Sequence, residues 1–266
     1  MELLGKVGLA LGGGGAKGFA HIGILKALEE YKIPIHKIAG TSMGSIVGAL
    51  YCAGYSANEI LKMLQEEKIW NWFKIDILKG GLVNLNGVKE ILRKHIGHDE
   101  FSKLKKPFYV AVSNLNSGKV KVISEGNMLL EWIAASCSIP VAFSPVTINN
   151  DTYVDGGLFM NLPSDPLMFD CDTVIGSNVI ADSKVETIAN AKDVAERVFN
   201  LSIIQNQRIS KLHCDLYIES KKLVNYSMWD FNKFDEIIEI GYKAAKKKIE
   251  RDLLPQISEI ESKADD

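Results

Sequence analysis

HKIAGTSMGSIVGALYCAG, residues 36–54, changes period in its middle. His36–Gly40 reads as a short buried strand, Ser42–Gly54 as a helix, and between them stands Gly40-Thr41-Ser42-Met43-Gly44. That pentapeptide is G-x-S-x-G, whose flanking glycines allow a sharp turn from strand to helix and leave the serine oxygen exposed above a sheet. No charge occurs from Ile38 to Asn58, a run approaching the length of a membrane span. Its many small residues and its interruption by Gly-Thr-Ser favour a helix buried against a sheet.

Upstream, Lys6–Gly12 reads as another buried strand, and Ala16–Tyr31 as a helix with Ile22, Leu25 and Leu28 on one side. Two strand–helix units in succession are the opening that a parallel α/β sheet requires. The first is joined by Gly12-Gly13-Gly14-Gly15, a turn that aims backbone N–H groups at an anion. A phosphate, a dinucleotide or a reaction oxyanion would fit. Gly18 is followed by Phe19, so the turn is no Walker A loop. A dinucleotide site expects an acid near the end of the second strand; there the chain carries the G-x-S-x-G serine instead. A serine attacking an ester makes an oxyanion, and the glycine loop beside it would hold that charge. Lys17 reads either as positive charge at its rim or as a solvated side chain of the first helical turn.

The rest of the chain continues the alternation. We expect a helix over 84–97 capped by Asn86 and stopped at Gly97, a hairpin over 107–124, and a helix over 127–137. Strands are expected at 146–154 and 172–180, and long helices at 187–212 and 234–251. No repeat or linker divides the chain, so one domain is expected over 1–255, with a disordered acidic tail at 256–266. At 266 residues and 47% apolar, it can bury a sizeable core. A net charge of −2 gives no electrostatic case for nucleic acid. Cys52, Cys137, Cys171 and Cys214 have neither metal nor disulfide-framework spacing, which suits reduced thiols in the cytoplasm. No signal peptide is read at the N-terminus.

A serine needs a base. Of five histidines, His21, His36, His95 and His98 read as structural or surface residues. His213 would complete the chain order Ser42, Asp155, His213 found in α/β-hydrolases. Asp155, at the end of a strand and followed by Gly156-Gly157, is the other candidate, its neighbours leaving the backbone free to bring the carboxylate close to another loop.

Four blocks, GGGAKG (13–18), GTSMG (40–44), ASCSIPVAFSP (135–145) and DGG with NLP (155–163), together resemble the patatin-like phospholipases. The resemblance spans residues 6 to about 180 and weakens beyond. It implies a three-layer α/β/α fold with a largely parallel central sheet, no metal and no cofactor, and a Ser-Asp dyad that hydrolyses lipid acyl esters. By position, Ser42 is the nucleophile, Asp155 the base, Gly13, Gly14 and Gly15 the oxyanion-hole loop, and Lys17 its basic neighbour in substrate binding. Gly12 departs from the plant storage members, which begin the loop with Asp. A lipid- or protein-binding adaptor without turnover is the rival reading.

Two further stretches bear on lipid. Trp70, Trp72, Phe73, Ile75, Ile77 and Leu78, followed by Gly80-Gly81, make residues 69–82 either core or a mobile cap at a lipid interface. The basic run at 243–252 is either a solvated face or a peripheral contact with anionic lipid.

Overall fold

Val7–Leu11 (β1) is buried at every position, as a central strand covered on both faces must be. The computed structural model describes residues 4–68, 85–182, 184 and 187–257. The aromatic stretch 69–82, expected as core or cap, and the end of the acidic tail lie outside the described residues. Around β1 the strands Lys37–Gly40 (β2), Phe108–Asn114 (β3), Lys119–Ile123 (β4), Val146–Ile148 (β5), Asp151–Asp155 (β6), Thr173–Asn178 (β7) and Leu216–Glu219 (β8) make one sheet. Its order is β5-β6-β3-β2-β1-β7-β8, with β4 paired to β3. The run from β3 through β2, β1 and β7 to β8 is parallel; β4 and β6 pair antiparallel with β3, and β5 with β6.

Helices Ala20–Glu30 (α1), Met43–Ala53 (α2), Ala57–Glu66 (α3), Asn86–Ile96 (α4), Leu129–Ser136 (α5), Asp165–Met168 (α6), Ala191–Leu212 (α7) and Phe234–Lys248 (α8) flank it. The strand period of two splits the apolar residues between two cores. Leu9, Leu11 and Ile38 face a large core with α1, α2 and α8. Ala10, Ala39 and Val174 face a small one closed by Leu162 and Leu167. The fold is thus the expected three-layer α/β/α arrangement with a mostly parallel sheet, its two sides unequal in thickness. The uncharged segment forms α2, buried against the sheet, and among the described residues no helix is long and apolar enough to cross a membrane.

Several elements differ from expectation. The helix expected from Ala16 begins as a 3-10 turn, Gly15–Phe19, before α1. Leu85, not Asn86, stands at the N-cap of α4, whereas Gly97 ends it in the left-handed region as read. The strand expected over 146–154 is a hairpin, because Asn149 and Asn150 both take positive φ, 51° and 69°, as a two-residue primed turn demands. Helix α7 starts at Ala191, and the last helix passes at Ile249–Leu253 into a π turn. Helix α3, with a capping box between Ser56 and Glu59, and edge strand β8 were not anticipated.

Candidate active site

The turn after β2 places Ser42 at φ 53° and ψ −127°, outside the regions that L-residues favour. The surrounding backbone enforces it. A Cβ on Gly40 would lie 2.5 Å from the Gly44 carbonyl oxygen, and one on Gly44 2.3 Å from that of Leu11. Both glycines of the pentapeptide are therefore required by close approach of main chain to main chain. Ser42 begins α2 at 4% exposure, and the Ser45 hydroxyl donates to its carbonyl at 2.6 Å.

Sheet topology carries Asp155 to the same place. Val110 pairs with Gly40 on one edge of β3 and with Ile123 of β4 on the other. Val112 pairs with Lys121 of β4 and with Asp155 of β6. Strands β2 and β6 thus share one edge of β3, run in opposite directions, and meet end to end. Thr41-Ser42 leaves one strand where Asp155 finishes the other. The Asp155 carboxylate accepts the Gly157 N–H at 2.7 Å, and the Ser42 hydroxyl is its polar neighbour from the elbow. Both groups favour the charged carboxylate, but Asp155 is 2% exposed, and loss of hydration outweighs them. Its pKa is pushed up to about 7.

The ASCSIP block stitches the two together. The Ser42 N–H donates to Ser136 Oγ at 2.8 Å, and Ser136 Oγ–H donates to the Ala111 carbonyl of β3 at 2.7 Å. The Asp155 N–H donates to the Ser138 carbonyl at 2.9 Å. Between them the Cys137 thiol lies 3.9 Å from Ser45 Oγ, its pKa pushed up by burial. The sequence marked this block without assigning these roles.

The glycine loop lies against Ser42. A Cβ at Gly13 would be 3.0 Å from Ser42 Cβ and 2.8 Å from Asn161 Oδ1. The Gly13 N–H donates to the Asn161 carbonyl at 3.2 Å, so the donors left in the loop are those of Gly14 and Gly15. His21 holds the loop from behind. Its Nε2 is 2.7 Å from the Gly12 carbonyl, which only accepts, so Nε2 bears the proton and Nδ1 accepts from Ser177 Oγ, also at 2.7 Å. Burial pushes its pKa down to about 4, keeping this tautomer neutral. Lys17 is half-buried beside the loop, its pKa lowered by burial against the pull of Asp230 and Glu196.

Above Ser42 is a cleft of only about 10 Å³, lined by Met43, Ile46, Cys137, Phe143, Trp229 and Phe231 among others. The last two were not anticipated. The signal lay in the aromatic density of YSMWDFNKF, residues 226–234, which follows a strand end and meets the glycine loop: Ala16 N–H donates to the Met228 carbonyl at 2.8 Å. His213 is not brought to the site. Its Nδ1 pairs with Asp165 at 2.8 Å, and nearby Asp215 bonds Val174, level with Gly8 at the opposite end of β1 from the glycine loop. Its triad with Ser42 and Asp155 is therefore not assembled. His36, His95 and His98 accept or pair with local groups. No cluster of metal-ligating side chains occurs among the described residues.

A family model described as patatin-like phospholipase matches residues 9–168, more than half the chain, and takes in every block that builds this geometry. The chain belongs to the patatin-like phospholipase family. Among relatives, it is 27% identical to Lysophospholipase NTE1 of Meyerozyma guilliermondii, over 89% of this chain and 19% of that protein. It is 28% identical to Lysophospholipase nte1 of Aspergillus fumigatus, over 92% of this chain and 18% of that protein. The patatin-like chain thus spans under a fifth of the length of these relatives. Two solved structures share its fold: VipD from Legionella pneumophila (TM-score 0.51, 13% identity, 93% of this chain and 67% of that one) and the ExoU-SpcU complex of Pseudomonas aeruginosa (0.52, 14%, 94% and 52%).

Proposed function

We propose that this patatin-like protein is a serine acyl-ester hydrolase acting on lipids, of phospholipase A or lysophospholipase type, working through a Ser42–Asp155 dyad. The observation that carries the reading is the convergence of the Ser42 hydroxyl, on a strained elbow, with the buried Asp155 carboxylate where β2 and β6 meet end to end. Asp155 takes the proton of Ser42 as Oγ attacks the ester carbonyl, so no free alkoxide forms. Its raised pKa makes it a stronger base than a hydrated carboxylate. The negative charge that develops on the carbonyl oxygen is met by the loop of Gly13, Gly14 and Gly15, with the N–H groups of Gly14 and Gly15 as donors. Collapse breaks the bond to the alcohol, which leaves with the proton from Asp155. A water then gives a proton to Asp155 and attacks the acyl-serine, which releases the fatty acid and returns the proton to Ser42. Lys17 supplies positive charge beside the loop for an anionic lipid.

The lysophospholipases among the relatives support a lipid ester as substrate. The reading includes a cytoplasmic enzyme that reaches lipid by peripheral contact, supported by four cysteines that are all free thiols. The test is release of fatty acid from lysophosphatidylcholine and phosphatidylcholine, with labelling by an alkyl fluorophosphonate. Wild type is expected to do both and Ser42→Ala neither, with unchanged melting. Turnover by Ser42→Ala near the wild-type rate would end the serine mechanism.

A further inference from the structure

The cleft above Ser42 has room for about one water, which leaves open where an acyl chain goes. Next to it is a groove of about 270 Å³ lined by Ile139, Val141, Ala142, Phe199, Met228 and Trp229, with Ala195 and Glu196 of α7 on its outer wall. Ile139 and Trp229 belong to both the cleft and the groove, so the side chains that close one close the other. We propose that this groove is the acyl-chain subsite of the enzyme and that Trp229 is the gate between it and Ser42. The proposal rests on the hydrolase reading above and extends it to the place and length of the chain.

Three observations beyond continuity point the same way. Lining is apolar apart from Glu196, which suits a hydrocarbon and no polar ligand. Trp229 Nε1 is buried without a hydrogen-bond partner among the described residues, and a buried donor of that kind calls for an acceptor. The ester group of a bound lipid carries one. At the groove's rim Val141 holds φ 71°, a genuine outlier for a β-branched residue, and is 69% exposed. Strain of this kind is kept at ligand clamps and sites. From Val141 the rim continues onto α7, where Val194, Val198 and Leu201 are also exposed, an apolar surface over which a longer chain would emerge. Trp229 packs against Phe143 at 6.1 Å between ring centres, so turning the indole away from Phe143 would join cleft and groove.

The test fills the groove and reads chain length. In Ala195→Trp the ratio of kcat/KM for p-nitrophenyl palmitate to that for p-nitrophenyl butyrate is expected to fall about tenfold or more, because the long chain loses its berth and the short one scarcely enters it. Ala142→Phe, from the opposite wall, is expected to do the same and carries the test should Ala195→Trp fail to melt as wild type does. An unchanged ratio in natively melting variants would overturn the proposal. Failure of the hydrolase reading looks different: wild type would cleave neither ester and resist the fluorophosphonate. Binding then decides the groove alone. Ser42→Ala protein titrated with the fluorescent fatty acid cis-parinaric acid is expected to bind it, and Ala195→Trp in that background to lose most of the affinity. Equal binding by the two would overturn the subsite whether or not the protein turns over.

Discussion

As the proposed base, Asp155 stands under two opposed demands, because burial that would strengthen it as a base also penalises the charge it must carry. With its pKa pushed up to about 7, the active, deprotonated form is lost as pH falls through neutrality. Activity on a soluble ester is therefore expected to fall about tenfold per unit on the acid side of pH 7, and a profile flat from pH 8 to pH 5 would refute that assignment. Stability runs the other way. The folded pKa exceeds the unfolded one, so stability is fullest below about pH 4 and is lost as pH rises toward 7. Asp155→Asn is thus expected to cut kcat by about 10²–10⁴-fold and yet to melt a few degrees above wild type at pH 8, a gap that closes toward pH 4 in calorimetry. Ser136 works at the same scale through the main chain. Ser136→Ala leaves the buried Ser42 N–H without its acceptor, and kcat is expected to fall about tenfold with KM little changed, since such a loss costs about 1–3 kcal/mol. Ser42 and Asp155 were legible because adjacent glycines announce backbone that must approach something closely. Ser136 and His21 were not, because a serine in a helix and a histidine on an apolar face read as ordinary packing until their partners, distant in sequence, are known.

Among elements, the β5–β6 hairpin decides whether there is a site at all. Register fixes which residue of β6 lies opposite Val112, and a slip of one would send the Asp155 carboxylate to the other face of the sheet. The hairpin was read as a single strand because VTINNDTYV keeps a strand-like composition through its turn; only Asn149-Asn150 marks it, and Asn is the residue besides glycine that best tolerates positive φ. Asn150→Gly is accordingly expected to raise stability by about 0.5–1 kcal/mol in urea unfolding, with activity retained; a loss of stability would contradict the turn geometry. Strand β8 escaped notice for a related reason. Four residues at a sheet edge carry too short an alternation to separate from a loop.

For the molecule as a whole, the family match ends at residue 168, but the structure does not divide there. Helix α8 crosses α1 so closely that a Cβ on Gly23 would lie 2.0 Å from the Ile238 carbonyl oxygen, and one on Gly241 2.1 Å from that of Ala20. The two glycines are reciprocal contacts of one helix pair, and the aromatic segment that roofs Ser42 hangs from α8. Gly241→Leu is expected to destabilise by about 1–3 kcal/mol or more, read as a lower urea midpoint, and to reduce ester hydrolysis by loosening Trp229 and Phe231. Normal stability with full activity would show that the crossing tolerates separation. Fold class was readable from two strand–helix units and their glycines, whereas this crossing was not, because single glycines in helices carry no local sign of the partner they make room for.

The end-to-end meeting of β2 and β6 has a consequence for the life of the chain before it is folded. Ser42 and Asp155 leave the ribosome far apart in time, and β3, whose edge aligns them, emerges in between. Until that edge is occupied from both directions Ser42 is an ordinary alcohol. If the proposed dyad holds, rapid fluorophosphonate labelling is expected to count the molecules that have finished folding, and a chain unfolded in urea is expected to label slowly.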